Sequence, residues 1–135
     1  MYLFLDTETG GIDPRETDLL QIGCIKARED FTRVDRLRIN VAPNSGVYRV
    51  KPQALQINGI DLAHRNDVHT CDNAHYVLCM WLESPELPSH EKYTIAGWNV
   101  GFDIDFLKAH LFDNQYGAWD SIFRYSVYDV QSVVQ

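Results

Sequence analysis

Two acids spaced by one residue open the chemistry of this chain. An apolar run, YLFL (residues 2–5), meets Asp6, Thr7, Glu8 and Thr9, and Gly10 and Gly11 follow. Apolar residues leading into an acid read as a buried central strand with function at its C-terminal end. Residues two apart on a strand project to one side, so Asp6 and Glu8 face together and Thr7 faces away. Facing carboxylates repel, and they persist as anions when a cation or a proton sits between them. Hard oxygen donors of this kind suit Mg²⁺ or Mn²⁺. The competing reading is a polar turn that closes a strand and leaves both acids in solvent.

A second set of polar residues lies at 95–111, IAGWNVGFDIDFLKAHL. A strand ends at Gly97, and Asn99 is placed to cap a helix running from about Phe102 to Phe112. Asp103 falls in the first turn and Asp105 sits about 200° around the axis, so only one of them can face a shared site. Asp103, beside Phe102, is the inward candidate and Asp105 the solvent one. Alone, Asp103 is equally an acid that stabilises a helix N-terminus.

The elements that must position these groups follow from pattern. Residues 19–27 and about 31–41 read as strands with a turn at Arg28-Glu29-Asp30. With the first strand they predict a three-strand antiparallel meander. Pro43 to Gly46 is a loop, and Lys51-Pro52-Gln53-Ala54 opens a short helix with proline in its first turn. Residues 73–83 predict a helix capped by Asp72 or Asn73 and ended by Pro85 and Pro88. A short buried strand at 93–97 precedes the Asp103 helix. A further helix ends near Phe123, and Tyr125 to Val130 predicts a last strand with the start of a helix after it. The order gives an α/β layered domain with a mixed sheet.

The bulk numbers narrow the function classes. The 135 residues are 45% hydrophobic and 23% charged, an ordinary globular balance that fits one domain. No run approaches the roughly 20 apolar residues of a membrane span. The opening residues reach an acid too early for a signal peptide, so neither membrane nor secretion is expected. Cys24, Cys71 and Cys79 form no CxxC pair and no complete disulfide framework, which predicts buried thiols in a reduced, cytoplasmic setting. The net charge of −7 is the wrong sign for a general duplex binder, yet it suits a protein in which cations meet a phosphate. Arg33, Arg36 and Arg38 read as a solvated strand face. Trp81, Trp98 and Trp119 read as core or groove walls.

FLDTETGG resembles the first motif of the DEDD (DnaQ-like) 3′-to-5′ exonuclease superfamily, and GWNVGFDIDFL is similar to its second. Between them, Lys51 to Leu62 resembles the segment that ends in these proteins at a glycine–isoleucine pair. The resemblance implies an RNase H-like fold: a mixed sheet of meander plus parallel strands with flanking helices. It implies Asp6, Glu8 and Asp103 as metal ligands for two Mg²⁺ or Mn²⁺ ions, which lie roughly 3.5–4 Å apart in such sites. Thr7 and Thr9 fall where the family contacts the terminal nucleotide. Ile12 falls near its apolar wedge against the last base, Phe102 lines the substrate groove, and Asn99 matches the family asparagine. Trp98 replaces the histidine usual beside that asparagine, and Asn58 stands where histidine often precedes Gly59-Ile60.

The implied partner is the 3′ end of a single strand of DNA or RNA. On the protein side the candidates are a second copy of the chain, a polymerase or another protein. The third motif, His-x4-Asp or Tyr-x3-Asp on a later helix, is not found: none of the five histidines has an acid five residues on. Tyr116/Asp120 and Tyr125/Asp129 fit the tyrosine spacing but follow Asp103 too closely. Asp129, in YSVYDVQ, resembles the family strand that precedes the missing helix, and it is the remaining metal-ligand candidate. Residues 1–135 are therefore expected to be one exonuclease-like domain that stops before its last helix and exposes apolar surface there. Two other readings stand beside this one. The first is a catalytically inactive family member that binds nucleic acid or protein. The second is a phosphatase-like Asp6 nucleophile of the haloacid dehalogenase type.

Overall fold

A computed structural model gives the fold and describes residues 1–83, 91–113 and 116–133. Strand β1 (Tyr2–Thr9) lies inside a six-stranded sheet, with β2 (Leu19–Ala27) antiparallel on one side and β5 (Tyr93–Gly97) parallel on the other. Strand β3 (Arg33–Ala42) pairs antiparallel with β2, which completes the predicted meander. At the edges, β4 (Val68–Thr70) runs parallel to β3 and β6 (Phe123–Asp129) parallel to β5. The order is β4-β3-β2-β1-β5-β6. β4 was not expected, since three residues carry too little alternation to show in sequence.

The helices are α1 (Pro52–Asn58), α2 (Cys71–Leu82), α3 (Val100–Leu111), α4 (Tyr116–Ile122) and α5 (Val130–Val133). Proline opens α1 as predicted, and Gly59 closes it in the left-handed conformation at φ 71°. The start of α2 differs from expectation. Thr70 is its N-cap, accepting from the Asn73 amide, because Asp72 is bound to Asn44 through both its amide and its carboxylate. The prolines expected to end α2 lie outside the described residues. The turn after β2 spans residues 28–32, with Phe31 left-handed at φ 66°.

Helix α3 packs on β1, β2 and β5, α2 packs on β3, and the two helices touch. Leu3, Leu5, Ile22, Ile39, Leu78 and Phe106 join in one buried cluster between them. Burial alternates along β1, so Leu3, Leu5, Thr7 and Thr9 point into this layer while Asp6 stays exposed and Glu8 partly so. The opposite face of the sheet carries Tyr2, Phe4, Arg36 and Arg38. There the Tyr2 and Phe31 rings stack at 4.9 Å. An open groove of about 820 Å³ crosses it from Asp6 to Trp98. Arg33, Arg36 and Arg38 are exposed, Trp119 is core, Trp81 packs against the core, and Trp98 walls the groove, as the sequence predicted. All three cysteines are free, two of them buried. Among the described residues no helix is long and apolar enough to cross a membrane.

Candidate metal centre

The two acidic motifs meet through Thr7. Its backbone N–H donates to Asp103 Oδ1 at 2.9 Å, and its hydroxyl donates to the same oxygen at 2.5 Å, across 96 residues of sequence. Thr7 can do this because the alternation of β1 turns it toward α3, away from its two acidic neighbours. Asp103 is 4% exposed and sits in the first turn of α3, while Asp105 is exposed. The choice between the two acids made from helical angle therefore holds.

Asp6 is the electrostatic link among the three carboxylates. Partial burial pushes the Glu8 carboxyl up, and the charge of Asp6 adds to the push. Burial pushes Asp103 up to about 6; Asp6 adds to this, while the two Thr7 hydrogen bonds oppose it. None of the three forms an ion pair with a basic side chain among the described residues. Hard, mutually repelling oxygen donors with no counter-ion fit a divalent cation by their chemistry.

The geometry is less complete than the motifs imply. Among the described residues no three His, Cys, Asp or Glu side chains come together as a ready ligand set. The reason is visible in β1: Asp6 and Glu8 leave the strand on one face, and Asp103 is held to Thr7 on the other. The proposed ligands are neighbours across one strand rather than a closed cage.

Other residues from the sequence reading take defined places. Thr9 is buried, with its hydroxyl donating to the Gly11 carbonyl, so both threonine hydroxyls serve the protein itself. Ile12 stands 87% exposed on the loop between β1 and β2. Phe102 is half-buried, its ring 5.0 Å from Phe106. Asn99 is a correction. It is the N-cap of α3, but in the left-handed conformation at φ 50° and with no side-chain hydrogen bond to the helix. A left-handed N-cap does not aim its side chain at the first turn, where capping normally occurs.

Asp129 ends β6 beside Gly97. One of its oxygens accepts from the amides of Asn99 and Gln131, tying β6 to the β5–α3 turn. Tyr125 lies on β6 and is fully exposed, so Tyr125/Asp129 is not the helical pair that the third motif requires. Tyr116 and Asp120 do share α4, where Asp120 is exposed.

The sequence did not reveal the support behind the loop at 10–18. Asp18 is 2% exposed and accepts from the Arg49 amide at 2.7 Å and from its guanidinium at 2.8 and 3.2 Å. His110 Nε2 lies 3.0 Å from the carbonyls of both Pro14 and Thr17, which fixes Nε2 as the protonated nitrogen. Asn58, in the place of the family histidine, donates to the Thr9 carbonyl. These partners lie 31 to 96 residues apart, and nothing local marks them.

No family model matches the chain. Over 61 residues it is 41% identical to a ribonuclease T of Wigglesworthia glossinidia brevipalpis, a match that covers 42% of this chain and 28% of that protein. The fold is that of E. coli exonuclease I. In complex with a dT13 oligonucleotide, that protein superposes with a TM-score of 0.74 at 21% identity, over 98% of this chain and 28% of its own. The exonuclease I/SSB-Ct complex superposes equally well, at 0.74 and 22% identity over 98% of this chain and 29% of that one. The chain thus spans less than a third of the length of the proteins it matches. The RNase H-like mixed sheet expected from the motifs is the sheet observed.

Proposed function

We propose, from the premise that motifs, sheet and ribonuclease T match make this chain a DEDD (DnaQ-like) exonuclease-type protein, that it removes nucleotides from the 3′ end of a single strand. One observation carries the reading. Asp103 of the second motif is bound at two points to Thr7, between the two acids of the first motif. That contact brings the second motif to the strand that carries Asp6 and Glu8, with Asp103 on its other face. Asp6, Glu8 and Asp103 would hold Mg²⁺ or Mn²⁺. When bound, such ions neutralise phosphate charge and make water a better nucleophile.

The chain's own contribution is positioning. Thr7 holds Asp103 at β1 and keeps one of its oxygens engaged, so the other is the one free to bind a ligand. Ile12 presents an exposed apolar side chain on the loop that follows the acids of β1, suited to the face of a terminal base. Phe102 supplies the half-buried wall at the start of α3. The domain is taken as 1–135, and the free thiols fit a reducing, cytoplasmic setting. Among the described residues, none has a geometry that supports the part of a titratable group to assist the water or of a fourth acid. Asp129 is the remaining candidate acid, with one oxygen committed to backbone amides.

The test is release of mononucleotides from 5′-labelled single-stranded DNA and RNA in Mg²⁺ or Mn²⁺. Asp6→Ala and Asp103→Asn should each reduce the rate by about 100-fold or more. Turnover that survives both substitutions would overturn the reading. The lack of a ready three-acid ligand set among the described residues favours one other reading, a family member that binds a 3′ end without cleaving it. Tight binding with no product after long incubation in Mn²⁺ would select it.

A further inference from the structure

The loop that carries Ile12 has few apolar anchors and many polar ones, and most of those converge on three residues. Helix α3 presents Asp103 toward β1. His110 stands seven residues on, two turns along nearly the same face and about 10 Å further. From there its ring holds the carbonyls of Pro14 and Thr17, at the far end of the loop. The ring itself is fixed by stacking on Phe106 at 5.8 Å and 11°. Arg49 grips the loop from the other side. Its guanidinium donates to the Arg15 carbonyl at 3.0 Å and to buried Asp18; the Asp18 carbonyl accepts from the Gly10 N–H and the Asp18 N–H donates to the Arg49 carbonyl. A Cβ on Gly10 would lie 2.7 Å from the Val50 side chain, so the 49–51 segment is already in contact with the loop's base.

We infer that His110, with Asp18 and Arg49, is a positioning brace that fixes Ile12 relative to Asp103, and so sets where the base of a 3′-terminal nucleotide rests against the carboxylates. The inference rests on the exonuclease reading above. One rigid helix then holds both a proposed metal ligand and the loop for the terminal base. The separation of Asp103 from the His110 anchor of the loop is a property of α3 rather than of the loop.

The test uses His110→Phe, which keeps a ring against Phe106 and removes the donor, and His110→Gln, whose amide can replace the Nε2 donor. Affinity for a fluorescent single-stranded oligonucleotide with a free 3′ end is measured in Ca²⁺, and KM and kcat are measured in Mn²⁺. Calorimetry follows the binding of Mn²⁺ alone, and thermal melting checks folding. His110→Phe should raise Kd and KM about tenfold and leave kcat and Mn²⁺ affinity within about threefold. His110→Gln should recover most of the loss. Ile12→Ala should show the same defect, and the double variant should be no worse than Ile12→Ala, since both act through one contact.

Additive losses, a fall in kcat with KM unchanged, or a His110→Gln as defective as His110→Phe would each overturn the brace. Should His110→Phe fail to fold, Arg49→Gln loosens the same loop from its other side and must give the same pattern. A wild-type chain that binds no 3′ end overturns the exonuclease reading and the brace with it. A wild-type chain that binds or cleaves, beside an unaffected His110→Phe, overturns the brace alone.

Discussion

Replacing Asp103 by asparagine should stabilise the fold in the absence of divalent cations. The carboxyl is 4% exposed and its pKa is pushed from 3.8 to about 6, first by burial and then by the charge of Asp6. A folded-state pKa above the unfolded value means that the group's contribution is fully present below about pH 4 and is lost as pH rises through 6. At pH 8 the ionised side chain thus disfavours the fold by about 3 kcal/mol, at 1.36 kcal/mol per unit. Asparagine keeps what the acid does well. Both Thr7 donors reach one oxygen, Oδ1, and an amide oxygen can accept the same pair. Against the gain stands about 1 kcal/mol for settling the new NH₂ group where the second oxygen was. The net expectation is about 1–2 kcal/mol at pH 8, or roughly 4–8 °C in Tm for a chain of this size. Differential scanning fluorimetry in chelator at pH 8 and pH 4 measures it. The gain should shrink toward zero at pH 4, where the wild-type carboxyl is already protonated. Added Mg²⁺ should raise the wild-type Tm more than that of the variant. A variant that loses stability at pH 8, or gains as much at pH 4, would show that Asp103 is a structural acid and not a carboxylate held for a cation.

Three further outcomes follow from packing and protonation. Burial holds the His110 imidazole below its usual pKa, so its stabilising contribution is present above about pH 6.5 and is lost as pH falls below it. The urea midpoint of the wild type minus that of His110→Gln, a difference in which other titrations cancel, should therefore decline from pH 7.5 to pH 5.5. Gly10→Ala would place a methyl 2.7 Å from Val50 Cγ1 and 2.9 Å from the Arg49 carbonyl, and it should cost about 1–3 kcal/mol in chemical denaturation. Leu78→Ala empties a fully buried position on α2 and should cost about 2–5 kcal/mol by the same measurement, without changing Mn²⁺ affinity.

Much of the frame could be read directly because its signals are local. The apolar run into Asp6, the alternation of Val34 through Ile39 and the proline at 52 each act within a few residues, and each element formed where expected. The choice of Asp103 over Asp105 was also local, a matter of angle around one helix. The parts that sequence reading missed have causes that are not local. Thr70 caps α2 because Asn44, 28 residues away, takes Asp72. Asn99 fails as a side-chain cap because the turn it occupies is left-handed and is fastened by Asp129. The Asp18–Arg49–His110 group joins three separate segments, and none of the three shows its partner within its own neighbourhood. Even the expected ligand set was read more simply than it folds, since facing directions on one strand do not reveal which face a helix will approach.

The alternation of β1 has a consequence for folding fidelity. A strand held only by apolar pairing is free to slip by one residue, since each register buries half of its side chains. In β1 a slip of one would turn Asp6 and Glu8 into the layer between sheet and helices and bring Leu5 and Thr7 out. Two unpaired anions there would cost far more than any apolar gain could return. The same two acids proposed to hold a cation therefore also tell the folding chain which way its central strand must face.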